Sequence, residues 1–158
     1  MICREPVSDP ETGLPMSFCG TARRRVKTPT KSYWLWIPIA VTSKGKYHRI
    51  LPDFLLANKQ YTVQTIESAL DEDVDLDQYL LPSDSSVYRW NKWLSTLIEQ
   101  LRIVLKLNDS ADSLLHKLRV LFKRDVHKAI QFDSASGWLA KIANHHGVLS
   151  NDFDLGFF

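Results

Sequence analysis

Aromatic and β-branched residues dominate the chain between residues 21 and 51, in short runs that suit strands. The run "SYWLWIPIAV" is rich in side chains that pack well on a pleated surface. The basic segment "TARRRVKT" precedes it, and "KYHRIL" follows the turn residues "TSKG". This pattern predicts a three-stranded antiparallel ribbon. Pro38 is expected at a bulge or on an edge side, because proline lacks a backbone donor.

After the connector "PDFLLANKQYT", apolar residues recur every three or four positions. Val63, Ile66 and Leu70 share one helical face, and Thr62 is the expected N-cap. The acidic stretch "DEDVDLD" follows, and "LDQYLL" then predicts a short helix that ends at Pro82. The ribbon is therefore expected to lead into a helical region.

A longer helix of about five turns is predicted after Pro82, with Ser83 or Asp84 as its N-cap. Its apolar face carries Val87, Trp90, Leu94, Leu97, Ile98 and Leu101. Its polar face carries Ser85, Ser86, Arg89, Lys92 and Ser95. The break "NDSA" ends this helix. Further helices are predicted from Asp112 to Gln131 and over "SGWLAKIANHHG", which Gly147 would cap.

These elements predict an α+β fold: an N-terminal three-stranded antiparallel ribbon, then a mainly helical body with a helix-turn-helix. The expected segments are an irregular N-terminus over residues 1–17, a β-ribbon over 18–57, a helix-turn-helix region over 58–107, C-terminal helices over 108–147 and a tail over 148–158. No apolar run reaches the roughly 20 residues of a membrane helix, and no apolar segment typical of a signal peptide is present. A cytoplasmic protein with no membrane partner is expected.

Charge is distributed unevenly along the chain, although the net charge is only +2. Residues 1–60 contain ten lysines and arginines against four acids, and residues 85–128 contain nine against four. Between them, residues 61–84 contain seven acids and no lysine or arginine. Two basic blocks could neutralise phosphates while the acidic segment faces away from them. The alternative is that most of these charges form an ordinary solvated surface.

The predicted helices on either side of Pro82 have the spacing of a helix-turn-helix, which needs a supporting helix, a tight turn and a reading helix. Ser85 and Ser86 could bond to phosphates or bases, Arg89 could bind guanine, and Lys92 a phosphate. An ordinary amphipathic helix with a solvated polar face is the commoner structure for such a pattern. The acids of residues 71–77 also oppose DNA binding unless they face away from the phosphates.

The basic segment of the ribbon is a second candidate for nucleic-acid binding. Its cations are Arg23, Arg24, Arg25 and Lys27, and aromatic residues follow in the next strand. This combination suits phosphate contacts and base stacking. Because neighbouring side chains of a strand point to opposite faces, Arg24 is expected opposite to Arg23 and Arg25. The alternative is an edge strand whose charges only keep the protein soluble.

Neither a metal site nor a catalytic site is predicted. Structural zinc usually takes four ligands from close pairs, whereas Cys3 and Cys19 form no CxxC pair and His48 cannot complete a set. His145 and His146 are adjacent, so their side chains would diverge on a helix. The sequence contains no Walker A, GxSxG or HExxH motif. We therefore expect no cofactor and no enzymatic activity.

Part of the sequence resembles an uncharacterised family of bacterial proteins related to transposases. The resemblance rests on "KYHRILPDFLLANKQYTVQTIESAL" and "PSDSSVYRWNKWL", within residues 18–101. Members look like an N-terminal zinc ribbon, an "R-x-LP-x-F-L" connector and a helix-turn-helix ending in a "YRW" helix. The matching residues are Arg49, Leu51, Pro52, Phe54, Leu55, Tyr61, Ile66, Tyr88, Arg89 and Trp90. Cys19 and Gly20 match only half of a zinc knuckle, so the ribbon would be a degenerate one without most of its ligands.

The resemblance implies DNA binding associated with mobile elements. Together with the charge pattern, it predicts a protein that contacts duplex DNA through the helix beginning near Ser85 and through the basic ribbon. The alternative is a protein-interaction module or small regulator. Such a protein would oligomerise through apolar helices and the phenylalanine-containing tail, and would bind no DNA.

Overall fold

A three-stranded antiparallel sheet precedes a set of helices. The computed structural model describes residues 6–71, 81–122 and 137–145. The strands are β1 (Ser17–Lys27), β2 (Ser32–Val41) and β3 (Tyr47–Arg49), in the order β1-β2-β3. The helices of the described residues are α1 (Val63–Leu70), α2 (Asp84–Val104), α3 (Ala111–Leu121) and α4 (Trp138–His145). The predicted α+β class, with the ribbon before the helices, is confirmed.

Pro38 lies in β2, the central strand, yet it removes no hydrogen bond between β1 and β2. Its carbonyl oxygen accepts from the amide of Ile50 at 2.9 Å, so its carbonyl and its nitrogen both face the β3 side. β3 ends at Arg49, so Pro38 lies opposite the end of that strand, where a residue without a backbone donor is tolerated. The irregularity of the sheet lies in β1 instead, where the register shifts between Phe18 and Gly20.

The inner face of the sheet forms a small apolar cluster with the connector that follows β3. Val26 of β1 and Ile37 of β2 are buried there together with Leu55 of the connector. The partly buried residues around them are Tyr33, Leu35, Leu51 and Phe54. Burial of these side chains fixes which face of the ribbon points to solvent, because a strand alternates its side chains.

The connector also runs along the edge of β1. The amide of Lys27 donates to the carbonyl of Gln60 at 2.8 Å, and the amide of Thr62 donates to the carbonyl of Lys27 at 3.1 Å. These bonds pair backbone groups that an uncovered edge strand would leave to solvent. They also bring the residues before α1 beside the last residues of β1.

Arg24 fastens the same connector from the inner face. One terminal nitrogen of its guanidinium donates to the carbonyl oxygens of both Leu56 and Lys59. Burial first, and the nearby charge of Arg49 second, lower the pKa of Arg24. The guanidinium is therefore part of the framework that holds the connector.

The helices pack around a larger core. Thr62 caps α1 by accepting from the amide of Thr65 at 3.3 Å, as predicted. Ser83 is the N-cap of α2, although its hydroxyl makes no capping bond. The predicted apolar face of α2 is buried, apart from the partly buried Val87. None of the helices among the described residues is long and apolar enough to cross a membrane.

Several predicted features lie partly or wholly outside the described residues. Of the short helix expected over residues 76–81, only Leu81 is described, and it is not helical. The helix expected from Asp112 to Gln131 is described up to Leu121, with Phe122 as its C-cap. Gly147 and the tail over 148–158 are outside the described ranges as well.

A buried carboxylate joins α1 to the start of α4. Glu67 is 3% exposed, and its Oε2 accepts from the amide of Leu139 at 2.9 Å. That amide belongs to the first turn of α4, where backbone N–H groups have no partner within the helix. Gly137, the residue just before α4, has no side chain that could accept hydrogen bonds from these N–H groups. Glu67 thus caps α4 from another helix, and its negative charge suits the helix N-terminus.

We expect Gly137→Ala to destabilise the protein. Gly137 has a φ of 111°, and a methyl group there would overlap the carboxylate of Glu67. Strain of this kind lowers the free energy of unfolding by about 1–3 kcal/mol, which urea denaturation followed by circular dichroism would measure. Gly20→Ala is the matched control, because open space surrounds Gly20. A Gly137→Ala variant as stable as Gly20→Ala would contradict this packing.

Arg24→Lys should also lower the free energy of unfolding, by about 1–3 kcal/mol, the usual range for hydrogen bonds to a charged group. The lysine keeps the charge, but its side chain is shorter than that of arginine, so the bonds from the charged group to the Leu56 and Lys59 carbonyls are weakened. Arg23→Lys is the control on the exposed face. If Arg24→Lys and Arg23→Lys lower the free energy of unfolding equally, the bonds from Arg24 to the connector contribute no stability of their own.

Candidate nucleic-acid interface

The outer face of the sheet alternates arginines with tryptophans. Arg23 pairs with Trp36, and Arg25 pairs with Trp34, across β1 and β2. Trp34 is 56% exposed and Trp36 is 63% exposed. The guanidinium carbon of Arg23 lies 4.6 Å from the ring centroid of Trp34 and 5.8 Å from that of Trp36. Nε of Arg25 donates to the hydroxyl of Ser32 at 2.9 Å.

This outer face combines fixed positive charge with flat apolar rings. Cation–π attraction holds Arg23 against the indoles, so charge and ring surface occupy the same area. Large exposed aromatic residues grouped on one face are typical of a contact surface. Phosphates and base faces are the ligands that such a surface suits best.

The other two ribbon cations have different surroundings. Arg24 lies on the inner face, as strand alternation predicts, and its guanidinium is bonded to the connector. The ammonium of Lys27 lies 5.1 Å from the ring centroid of Tyr61, at the end of β1 where the connector bonds to that strand. Of the predicted ribbon residues, Arg23 and Arg25 are therefore the two that the sheet exposes fully to a partner.

The start of α2 presents polar side chains, while Trp90 on the opposite side is buried. The hydroxyl of Ser83 lies 3.1 Å from that of Ser85 and 3.0 Å from that of Ser86. Nε of Arg89 donates to the carbonyl of Ser85 at 3.1 Å, which holds this exposed side chain along the first turn of the helix. Lys92, one turn further on, is also exposed.

The supporting half of the expected helix-turn-helix falls on residues 76–81, which are described only at Leu81. Four of the five acids of residues 71–77, which are expected to oppose DNA binding, also lie outside the described residues. Asp71 alone is described, and its carboxylate forms an ion pair with Arg119 at 2.8 Å. It also accepts from the indole nitrogen of Trp138 at 2.9 Å. The contacts of Asp71 are thus with α3 and α4.

Lys59 joins the ribbon to α2, a role that the sequence pattern does not indicate. Its ammonium lies 5.3 Å from the ring centroid of Trp93 on α2. Burial first, and the charge of Arg89 second, lower the pKa of Lys59. In the sequence Lys59 belongs to a connector with no periodic pattern. Its place beside α2 follows only from the bonds that hold the connector against β1.

A cavity of about 220 Å³ opens between β1, β2 and the connector. Its lining residues are Ala22, Arg23, Arg24, Ile37, Arg49, Asn58, Lys59 and Gln60. Four of these eight are cations and none is acidic. In the sequence, Arg49 is part of the family resemblance, and no charge pattern indicates its place in the cavity. The cavity therefore gathers cations from β1, β3 and the connector, and one of them, Lys59, lies near Arg89 on α2.

The described residues hold no set of zinc ligands. Cys19 is exposed and its thiol lies 3.5 Å from the carbonyl oxygen of Ile39, while Cys3 is outside the described ranges. Nowhere in the described part of the chain do three or more histidine, cysteine, aspartate or glutamate side chains lie close enough to hold a metal ion. The zinc-knuckle half-match at Cys19 thus has no partners there.

Residues 10–90 match a protein family described as a domain of unknown function (DUF6431). The matched region contains the whole sheet, the connector, α1 and the first turns of α2. No curated protein and no solved structure matches the chain. Because the match covers just over half of the 158 residues, the chain belongs to the DUF6431 family.

Proposed function

We propose that this protein binds duplex DNA through one cationic surface that joins the outer face of the ribbon to the start of α2. The residues of this cationic surface are Arg23, Arg25, Arg49, Lys59, Arg89 and Lys92. The observation that carries the proposal is the position of Lys59, which lines the same cavity as Arg23 and Arg49 and lies near Arg89. Cations far apart in the sequence are thereby brought together.

The charge of this surface is not neutralised by the described residues. The ion pairs that the described residues form involve cations outside this surface, namely Lys46, Arg102, Lys117 and Arg119. Like charges at short range repel one another, and a polyanion would relieve that repulsion. DNA offers a dense row of phosphates, and binding it releases condensed counterions. A protein with a net charge of only +2 thus has a locally strong site for phosphates.

The start of α2 supports duplex DNA over other polyanions. An α-helix with an exposed polar first turn fits the major groove, provided that its opposite side is packed on the protein. Trp90 is buried and forms an edge-on ring contact with Tyr61 at 5.2 Å, so α2 is fixed to the connector beside the ribbon. Ser85 and Arg89 remain exposed. The tryptophans of the ribbon would then lie against the sugar-phosphate backbone.

A role in mobile elements is part of the same proposal and rests on sequence alone. Arg49, the "LPDFLL" connector and Tyr88 to Trp90 resemble transposase-related proteins, and all of them lie inside residues 10–90. Five of the six residues of the cationic surface, all except Lys92, lie inside the same region. Most of the proposed surface accordingly lies within the region of this chain that matches the family.

A second candidate function is self-association through apolar helix ends. The large exposed apolar residues at the ends of α2 and α3 are Ile103, Val104, Leu105, Val120 and Leu121, each more than half exposed. Exposed apolar residues grouped in this way favour a protein partner. Sedimentation of the wild type and of Leu121→Ser would test this candidate. It predicts a dimer or larger species that the substitution dissociates, and a monomeric wild type contradicts it.

The DNA proposal predicts an affinity that falls steeply with salt. Each phosphate contact contributes about 0.9 to the slope of log affinity against log salt concentration. Arg89→Ala combined with Lys92→Ala should therefore reduce the slope by roughly 1–2, and Arg23→Ala combined with Arg25→Ala should do the same. Fluorescence anisotropy with a labelled duplex, titrated at several salt concentrations, measures both affinity and slope.

Lys117→Ala is the matched control, because it removes one charge from α3, where Lys117 pairs with Asp109 at 2.7 Å. It should bind the duplex like the wild type. Absence of duplex binding at low salt, or an affinity independent of salt, would overturn the proposal. A preference for single-stranded over duplex oligonucleotides would overturn the assignment to duplex DNA.

A further inference from the structure

The cavity between the ribbon and the connector is lined by cations that have no carboxylate partner among the described residues. Arg23 and Arg24 come from β1, Arg49 from the end of β3 and Lys59 from the connector. Asn58 and Gln60 add amide groups, and Ala22 with Ile37 form the apolar part of the wall. With a volume of about 220 Å³, the cavity has room for several water molecules or a small anion.

The cations of this cavity repel one another. Arg24 lies close enough to Arg49, and Lys59 to Arg89, for the second residue of each pair to lower the pKa of the first, although burial is the larger cause in both cases. The free protein carries this unfavourable arrangement without a described counter-charge. A bound anion would turn each repulsion into a shared attraction.

Two of the cations are held in place before any ligand arrives. Arg24 is tethered to the carbonyls of Leu56 and Lys59, and the Lys59 ammonium lies against the ring of Trp93. Asn58, between them, has a φ of 58°, which bends the connector around the cavity. Groups that are already fixed lose little conformational entropy on binding, which favours a specific site over loose attraction.

A purely structural role accounts for only part of this arrangement. Arg24 bonds to backbone carbonyls, and Lys59 packs on a ring, so both could serve only to hold the connector. The side chain of Arg49 is exposed at the cavity and forms no hydrogen bond or ion pair with another described residue, and its charge opposes that of Arg24. The fold therefore does not need this cation, whereas an anion site gives it a function.

We propose that this cavity binds a single phosphate group, held by Arg24, Arg49 and Lys59. A tetrahedral phosphate offers several oxygens to donors arriving from different sides, and arginine forks and lysine ammonium groups are its usual partners. The phosphate is that of a nucleic-acid backbone or of a small phosphate compound. The site follows from the cavity itself and holds whether or not the protein binds duplex DNA.

Calorimetric titration of the full chain with inorganic phosphate and with pyrophosphate, at constant ionic strength, tests the site directly. We expect saturable one-site binding by the wild type. Arg49→Gln and Lys59→Gln should each weaken it by about tenfold or more, the loss expected for one hydrogen bond between charged groups. Lys44→Gln is the matched control, because this exposed lysine lies in the turn between β2 and β3 and outside the cavity.

Circular dichroism melting of the same variants separates loss of binding from loss of fold. Arg49→Gln is the decisive variant, since the side chain of Arg49 makes no described bond that the fold would lose. Wild type that binds neither phosphate nor pyrophosphate, or Arg49→Gln that binds as tightly as Lys44→Gln, would overturn the site.

Competition with a duplex oligonucleotide identifies the source of the phosphate. Displacement of bound pyrophosphate by the duplex assigns the cavity to the nucleic-acid backbone. Simultaneous binding of both assigns it to a small phosphate compound. The two proposals also fail separately: DNA binding without any phosphate binding removes the cavity site alone, and phosphate binding without DNA binding removes the DNA proposal alone.

Discussion

The tether between Arg24 and the connector is the interaction on which the arrangement of the candidate surface depends. By donating to the carbonyls of Leu56 and Lys59, the guanidinium fixes the connector against the inner face of a ribbon that has little core of its own. A three-stranded ribbon is only marginally stable without such packing. Together with the backbone bonds between Lys27 and the connector, these bonds place Lys59 and Tyr61 beside α2.

This construction has an electrostatic cost. A half-buried arginine at the centre of the ribbon raises the cost of placing further cations nearby, yet Arg49 and Lys59 both line the same cavity. Neither of these two cations forms an ion pair that would offset this cost within the described residues. The contrast with Glu67 is informative, because that buried carboxylate is directed at backbone amides that need an acceptor. The charge of Glu67 is matched by a backbone amide, whereas the cations of the cavity, among them the exposed Arg49, have no carboxylate partner among the described residues, which is the pattern expected of a binding site.

Local sequence patterns predict much of the fold and less of the site. Alternation in β2 and the three-to-four spacing after Pro82 predict the ribbon, the buried face of α2 and the inward position of Arg24, since these depend on neighbours in the sequence. Lys59, Arg49 and the capping of α4 by Glu67 depend on contacts between distant segments, and no local pattern indicates them. The bulge that Pro38 suggests lies in β1, the partner strand, instead of in β2. A local pattern in β2 does not indicate this, because the register is decided by both strands together.

Arg23 connects the two proposed binding areas. Its guanidinium lies on the outer face against the indoles of Trp34 and Trp36, although Arg23 is also one of the residues that line the cavity with Arg49 and Lys59. The charge of Arg23 therefore serves a ligand on the outer face, whereas a ligand in the cavity would meet the charges of Arg24, Arg49 and Lys59. Arg25 lies on the outer face alone, and Arg49 lines the cavity without touching the indoles. Loss of Arg23 or Arg25 should therefore weaken the binding of a ligand on the outer face more than that of a ligand in the cavity, whereas loss of Arg49 should have the opposite effect.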